Sequence, residues 1–243
     1  MKISEQITGE KFPAHRRAFT LIELLAVIAI IGILAAFTVP VLGSLKRREY
    51  ISKTQAELSQ LETAIDSYKA TYGFYPPDAP NNPNYPLVNQ LYYELLGTFN
   101  YTNSGVVYYQ TLDSSAQPIA TNSVSSAFGS SVGGFMNCSR PGAGEDAPAA
   151  KNFLSNLKPN QIGIITNPPG NTFPVTVIIA SAGGPDPTYQ PFGKTDLNPW
   201  RYNSSSPTNN PGSYDLWVEL KIGGKTNLIC NWSKQVQINS PWP

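Results

Sequence analysis

Hydrophobic and polar positions change period along the chain, and each change marks an element. From Leu24 to Leu45 there are 22 consecutive residues without a charge, dominated by Leu, Ile, Val and Ala; about 20 such residues suffice for a helix to cross a bilayer. Beyond Pro40 the apolar positions Ile51, Leu58, Leu61, Ile65, Tyr68 and Tyr72, with Thr54 filling one gap, recur at spacings of three and four. That is one face of a helix, with Glu57, Glu62, Asp66 and Lys69 off the stripe, and it is expected to pack on a sheet. Gly73 ends the helix and Pro76-Pro77 prevents its return. After a Pro- and Asn-rich linker (74–85), Pro86 to Leu96 reads as a short amphipathic helix with Leu87, Leu91 and Leu95 inward, closed by Gly97. Val106 to Leu112 reads as a strand, residues 113–150 as an irregular Ser, Gly and Ala-rich stretch, and 148–158 as another brief helix. Two apolar runs, Gln161 to Ile165 and Pro174 to Ser181, bounded by Asn-Pro-Pro-Gly and Gly-Gly-Pro-Asp turns, are expected to pair. Leu216 to Ile222 alternates apolar and polar residues, Gly223-Gly224 makes a two-residue turn, and Lys225 to Trp232 returns as the clearest hairpin in the chain. The pattern is α+β: a long N-terminal helix and a small antiparallel head.

Glu23 breaks the apolar pattern at its head, in Phe19-Thr20-Leu21-Ile22-Glu23-Leu24-Leu25. A carboxylate entering the hydrocarbon costs roughly 2.5 to 3.5 kcal/mol on insertion scales, less near the interface. Glu23 therefore either sits at headgroup level or has a partner. The run Arg16-Arg17-Ala18-Phe19-Thr20-Leu21-Ile22-Glu23 resembles the prepilin peptidase recognition sequence of type IV pilins and type II secretion pseudopilins. The resemblance implies that residues 1–18 are a basic leader, cut on the cytoplasmic side between Ala18 and Phe19, and that the new Phe19 amine is N-methylated. Ala18 departs from the family, which usually has Gly there. The resemblance further implies an assembly role for Glu23: in the low-dielectric core of a filament its carboxylate would neutralise the Phe19 amine of a neighbouring copy. Gly32 and Pro40 match positions where the family bears helix-weakening residues. Gly lowers helix propensity by about 1 kcal/mol relative to Ala, and Pro removes a backbone donor.

Composition narrows the alternatives. The 243 residues carry 17 basic and 16 acidic side chains, a net charge of +1, with no long basic run, so nucleic acid is a poor partner. Only 14% of residues are charged, against about a quarter in an ordinary domain, while Pro, Gly and Tyr are abundant, a chemistry that suggests export. The flanking charges leave orientation tied, Lys2, Lys11, Arg16 and Arg17 before the apolar run and Lys46, Arg47, Arg48 and Lys53 after it. The low-charge body and the motif favour an N-terminus in the cytoplasm. His15 is the single histidine, and there are two cysteines, so His-based triads, His-rich zinc sites and multi-cysteine clusters are excluded within one chain. Cys138 and Cys230 either form a disulfide in an oxidising compartment or remain two buried thiols. Gly142 to Ala147 fits a dinucleotide-binding pattern by letter, but Cys-Ser-Arg-Pro precedes it instead of an apolar strand.

The stretch Leu58 to Pro77 is similar to the corresponding segment of major pseudopilins, and Asn198-Pro-Trp-Arg-Tyr202 with Tyr214-Asp-Leu-Trp217 resembles two elements of their heads. Major pseudopilins bind calcium after the second element, but here Val-Glu-Leu-Lys-Ile-Gly-Gly-Lys follows and lacks the oxygen ligands. Asp186 and Asp196 lie in an upstream loop where calcium coordination and ordinary backbone capping are both open. The resulting expectation is a non-enzymatic filament subunit without cofactor. It would sit as a single-pass protein of a bacterial inner membrane with a periplasmic head (74–243), a membrane or filament-core segment (19–45) and a helical continuation (46–73). Its partners would be further copies of itself, the prepilin peptidase and an inner-membrane secretion or pilus assembly platform. The alternative is a secreted or anchored binding module or hydrolase, whose apolar segment is only an export signal or tether. A glycosidase-type pair among the 14 Asp and Glu after Ala18 belongs to that alternative.

Overall fold

A computed structural model describes residues 19–140, 149–166 and 173–239, with backbone alone for 37–42. The leader with Ala18, the Gly142 to Ala147 pattern and the Asn-Pro-Pro-Gly turn lie outside the described residues, and so does the side chain of Pro40. The chain divides into two compact units at Lys46/Arg47.

The first unit holds the start of helix α1, Leu21–Tyr72, which is unbroken at Gly32 and through residues 37–42. Its large apolar side chains from Leu21 to Ile33 are 49 to 81% exposed. Leu21, Ile22, Leu24, Leu25, Val27 and Ile28 are exposed alike, so this part of the helix is apolar on every side.

The second unit begins with the continuation of α1. Of the stripe, Thr54, Leu58, Leu61, Ile65 and Tyr68 are buried and Ile51 and Tyr72 half-buried, with Ala64 buried beside them. Glu57, expected off the stripe, is buried as well: its carboxylate accepts from the backbone N–H of Ser181 at 3.1 Å and from the Ser181 hydroxyl. Helix α2, Leu91–Leu96, is shorter than expected and buried on all sides, with Leu87 half-buried before it and Gly97 at φ 71° ending it. Strands β1, Thr98–Asn103, and β2, Val106–Thr111, form a hairpin around Ser104-Gly105, both at positive φ as a tight right-twisted turn demands. The stretch from 113 is less irregular than its composition suggests. It carries the two-residue β3, Ile119–Ala120, helix α3, Val124–Phe128, and β4, Cys138–Ser139, and it seats Phe128 and Phe135 in the core. Phe135 stacks on Tyr93 with centroids 4.6 Å apart. No helix forms over 149–158; Asn152 Oδ1 takes the N–H of Leu154 at 2.8 Å, a local turn that competes with helix.

The two apolar runs pair antiparallel as β5, Ile162–Ile165, and β6, Val175–Ile178. Strand β7, Arg201–Asn203, pairs with β8, Asp215–Ile222, which turns at Gly223-Gly224 into β9, Lys225–Cys230, and β10, Ser233–Ile238, completes this sheet. The sheet orders are β3-β2-β1-β4, with only the β1–β4 pair parallel, β10-β9-β8-β7, and β5-β6. One core joins the α1 stripe to α2 and the inner faces of the sheets.

Candidate functional site

The first turn of α1 is where costly chemistry was expected, and the structure shows how the chain handles it. Thr20 is the N-cap: its carbonyl accepts the first helical N–H, from Leu24, at 3.2 Å. Glu23 is the third helical residue. The Thr20 hydroxyl accepts the backbone N–H of Glu23 at 3.3 Å, while Glu23 Oε2 accepts both the Thr20 backbone N–H and the Thr20 hydroxyl at 2.8 Å. This reciprocal capping box satisfies two of the donors that a helix start leaves open, and the carboxylate sits at the positive end of the helix dipole. The partner that Glu23 was expected to need is thus found first within its own chain. The signal was present in the sequence as Thr-x-x-Glu before an apolar run. Glu23 Oε1 receives no donor among the described residues, and Phe19 stands 83% exposed beside it.

Below this turn the exposed apolar surface continues along the helix. A Cβ added at Gly32 would meet nothing within 4 Å, so no close packing among the described residues explains the glycine. Among the described residues no helix is long and apolar enough to cross a membrane; residues 37–42, inside the uncharged run, are described only as backbone.

The remaining candidates lie in the second unit. Cys138, in β4, and Cys230, in β9, are both free thiols in different sheets, which decides against the disulfide. Cys138 Sγ donates to Asn100 Oδ1 at 3.4 Å, and burial pushes both thiols up from their ordinary range, which keeps them protonated and unreactive. Asp186 caps its own loop: Oδ1 accepts the Thr188 N–H at 2.9 Å and its hydroxyl at 2.7 Å, while Asp196 is exposed. Among the described residues no three His, Cys, Asp or Glu side chains gather as metal ligands. The segments Asn198–Tyr202 and Tyr214–Trp217 are brought together, Tyr202 opposite Leu216 and Arg201 opposite Trp217. Asp215, in the second segment, is buried and accepts the backbone N–H groups of Thr208, Asn209 and Asn210 at 2.8 to 2.9 Å, a role in holding that loop which the sequence did not disclose.

Comparison with known proteins agrees with this location. The type II secretion system core protein G of Escherichia coli (strain K12) is 37% identical over 75 residues, 31% of this chain and 45% of the relative. The protein of the same name from Klebsiella pneumoniae is 41% identical over 62 residues, 26% of this chain and 44% of the relative. The type IV major fimbrial protein FimA of Dichelobacter nodosus is 44% identical over 52 residues, 21% of this chain and 33% of the relative. The chain thus spans less than half the length of these relatives. No solved structure matches. Residues 13–39, which contain Phe19, Thr20, Glu23 and Gly32, match the prokaryotic N-terminal methylation motif, and by this motif the chain is similar to type II secretion and type IV fimbrial proteins.

Proposed function

We propose that this chain is a pilin-like structural subunit without catalytic activity, made as a precursor, cut by a prepilin peptidase between Ala18 and Phe19 and N-methylated at Phe19. Residues 19–45 hold it in a bacterial inner membrane with the head in the periplasm. Copies then move this segment from lipid into the core of a filament, assembled on an inner-membrane platform. The similarity to core protein G and the likeness of the Asn198–Tyr202 and Tyr214–Trp217 segments to major pseudopilins favour a type II secretion system.

One observation carries the reading: an all-round apolar helix, exposed from Leu21 to Ile33, that opens on a capping box. Lipid or neighbouring helices would cover it, since none of the described residues of its own unit does. In the free subunit the Thr20 bonds lower the cost of carrying Glu23 to the bilayer. In the filament, the amine of a neighbouring Phe19 reaches Oε1, which the box leaves open, and a charge-assisted bond in low dielectric adds to the box without breaking it. Gly32 and Pro40 loosen the helix between them during this transfer.

Intact-mass and N-terminal analysis of protein made alongside a prepilin peptidase tests the processing. A chain beginning at N-methylated Phe19 is expected; retention of Met1, or a cut near Ala35-Ala36, would show a plain anchor or a secretory signal instead. Glu23→Ala should be inserted and cleaved normally but absent from sheared filaments. Normal incorporation of that variant would remove the pairing from the mechanism.

A further inference from the structure

The β1–β2 hairpin has two faces. Tyr109, on the inner one, is buried against Phe135. The outer one carries Phe99, Tyr101 and Tyr108, all half-buried. Tyr101 and Tyr108 are directly opposite in the ladder and stack with centroids 5.6 Å apart and planes at 21°, and Phe99 lies next along at 6.1 Å from Tyr101. Two concavities of about 660 and 280 Å³ adjoin these rings, the first lined by Phe99 and Tyr101 and the second by Tyr108 and Phe173. They share Gln117 and Pro118, so the two shallow concavities adjoin one another beside the hairpin, and the two together are called the trough.

The lining decides what the trough accepts. No charged side chain lines it among the described residues, so an ionic ligand would lose its hydration without a counter-charge. Yet it is not simply apolar: Gln110, Gln117, Ser114, Ser123 and Thr176 stand among the rings. Gln117 is exposed, and among the described residues its amide has no hydrogen-bond partner, nor have the hydroxyls of Tyr101 and Tyr108. An apolar protein segment would bury these groups unpaired, at about 1 to 3 kcal/mol each. A neutral pyranose chain answers both halves of the surface, with C–H faces for the rings and hydroxyls for the amide and phenol groups. We infer that the Phe99–Tyr101–Tyr108 trough binds a neutral polysaccharide.

The test uses the full chain in a zwitterionic detergent without a sugar headgroup. Calorimetric titration is run with neutral gluco-, manno-, xylo- and galacto-configured hexasaccharides, with polygalacturonate as an acidic control and a polyproline peptide as the competing class. Saturable binding of at least one neutral hexasaccharide, and of neither control, is expected. Tyr101→Ala and Tyr108→Ala should weaken it roughly two- to twelvefold, the loss of one aromatic contact. Tyr101→Phe, which keeps the stack, should bind more tightly than Tyr101→Ala. No binding across the neutral panel, equal binding of polygalacturonate, capture of polyproline alone, or Tyr→Ala variants that are folded by circular dichroism and bind like wild type would each overturn the inference.

Discussion

Glu94 gives the sharpest check on how the head is held together. It lies on α2 with no exposed surface, and its carboxylate takes three donors: the Met136 N–H at 2.8 Å, the Asn137 N–H at 3.0 Å and the Tyr68 hydroxyl at 2.9 Å. One side chain thus ties α1 to the stretch before β4. Glu94→Ala leaves those three donors buried and unanswered, each worth about 1 to 3 kcal/mol, while it relieves a desolvation penalty of several kcal/mol. The net loss should be about 3 to 5 kcal/mol, as for other broken buried charge contacts, read as a shift of the urea midpoint at unchanged slope. Burial pushes the Glu94 carboxyl up from its ordinary range, and this outweighs the three donors that pull it down. The native state therefore holds the proton more tightly than the unfolded chain. The stability Glu94 contributes is fullest below about pH 4.3 and falls as pH rises through the raised value, so the penalty of Glu94→Ala should shrink over that window. A loss below about 0.5 kcal/mol, within the range of an ordinary surface change, or a penalty that grows with pH, would refute the reasoning.

Two further outcomes follow from named contacts. Gly97→Ala places a Cβ 2.7 Å from the Lys151 carbonyl at a φ of 71°, so backbone strain and a backbone clash add; a loss above about 1 kcal/mol in a denaturant titration is expected. Because Cys138 and Cys230 are unpaired and Asp186 caps its own loop, neither a thiol reductant nor a chelator should move the melting temperature, and a drop of about 4 °C or more with either would mean that a bond or ion holds the head at the level of about 1 kcal/mol.

What could be read from the sequence was whatever repeated locally. The β8–β9 hairpin announces itself because alternation runs up to Gly223-Gly224 and resumes after it, and the α1 stripe because seven positions keep one period, Thr54 included. Strand β1 was missed: Thr-Phe-Asn-Tyr-Thr-Asn has only two apolar side chains, both on the outer face, and its cue was the Ser104-Gly105 turn. Glu57 was misplaced because its donors come from Ser181, 124 residues away, and no local pattern encodes a partner at that separation. The same limit hid the anchoring of residues 128–137, where Phe128 and Phe135 meet Tyr93 from a stretch whose composition reads as loop.

At the helix start, the sequence leaves Glu23 either at headgroup level or in need of a partner, and the family resemblance assigns the relief of its cost to a second copy. The geometry divides that relief in two. Thr20 supplies a local share available to an isolated subunit, which is what the proposed insertion would require, because a precursor would reach the bilayer before it met a neighbour. The open Oε1 leaves a second share that only an added donor can supply, which is what the proposed assembly would require, because a carboxylate fully satisfied at home would gain nothing from a neighbouring amine. In the proposed function a residue at this position would have to be sufficiently paired to enter lipid and insufficiently paired to stay there alone. Thr-x-x-Glu at the head of an apolar helix meets both conditions with one hydroxyl, whereas Ala in place of Thr would meet only the second and Ala in place of Glu only the first.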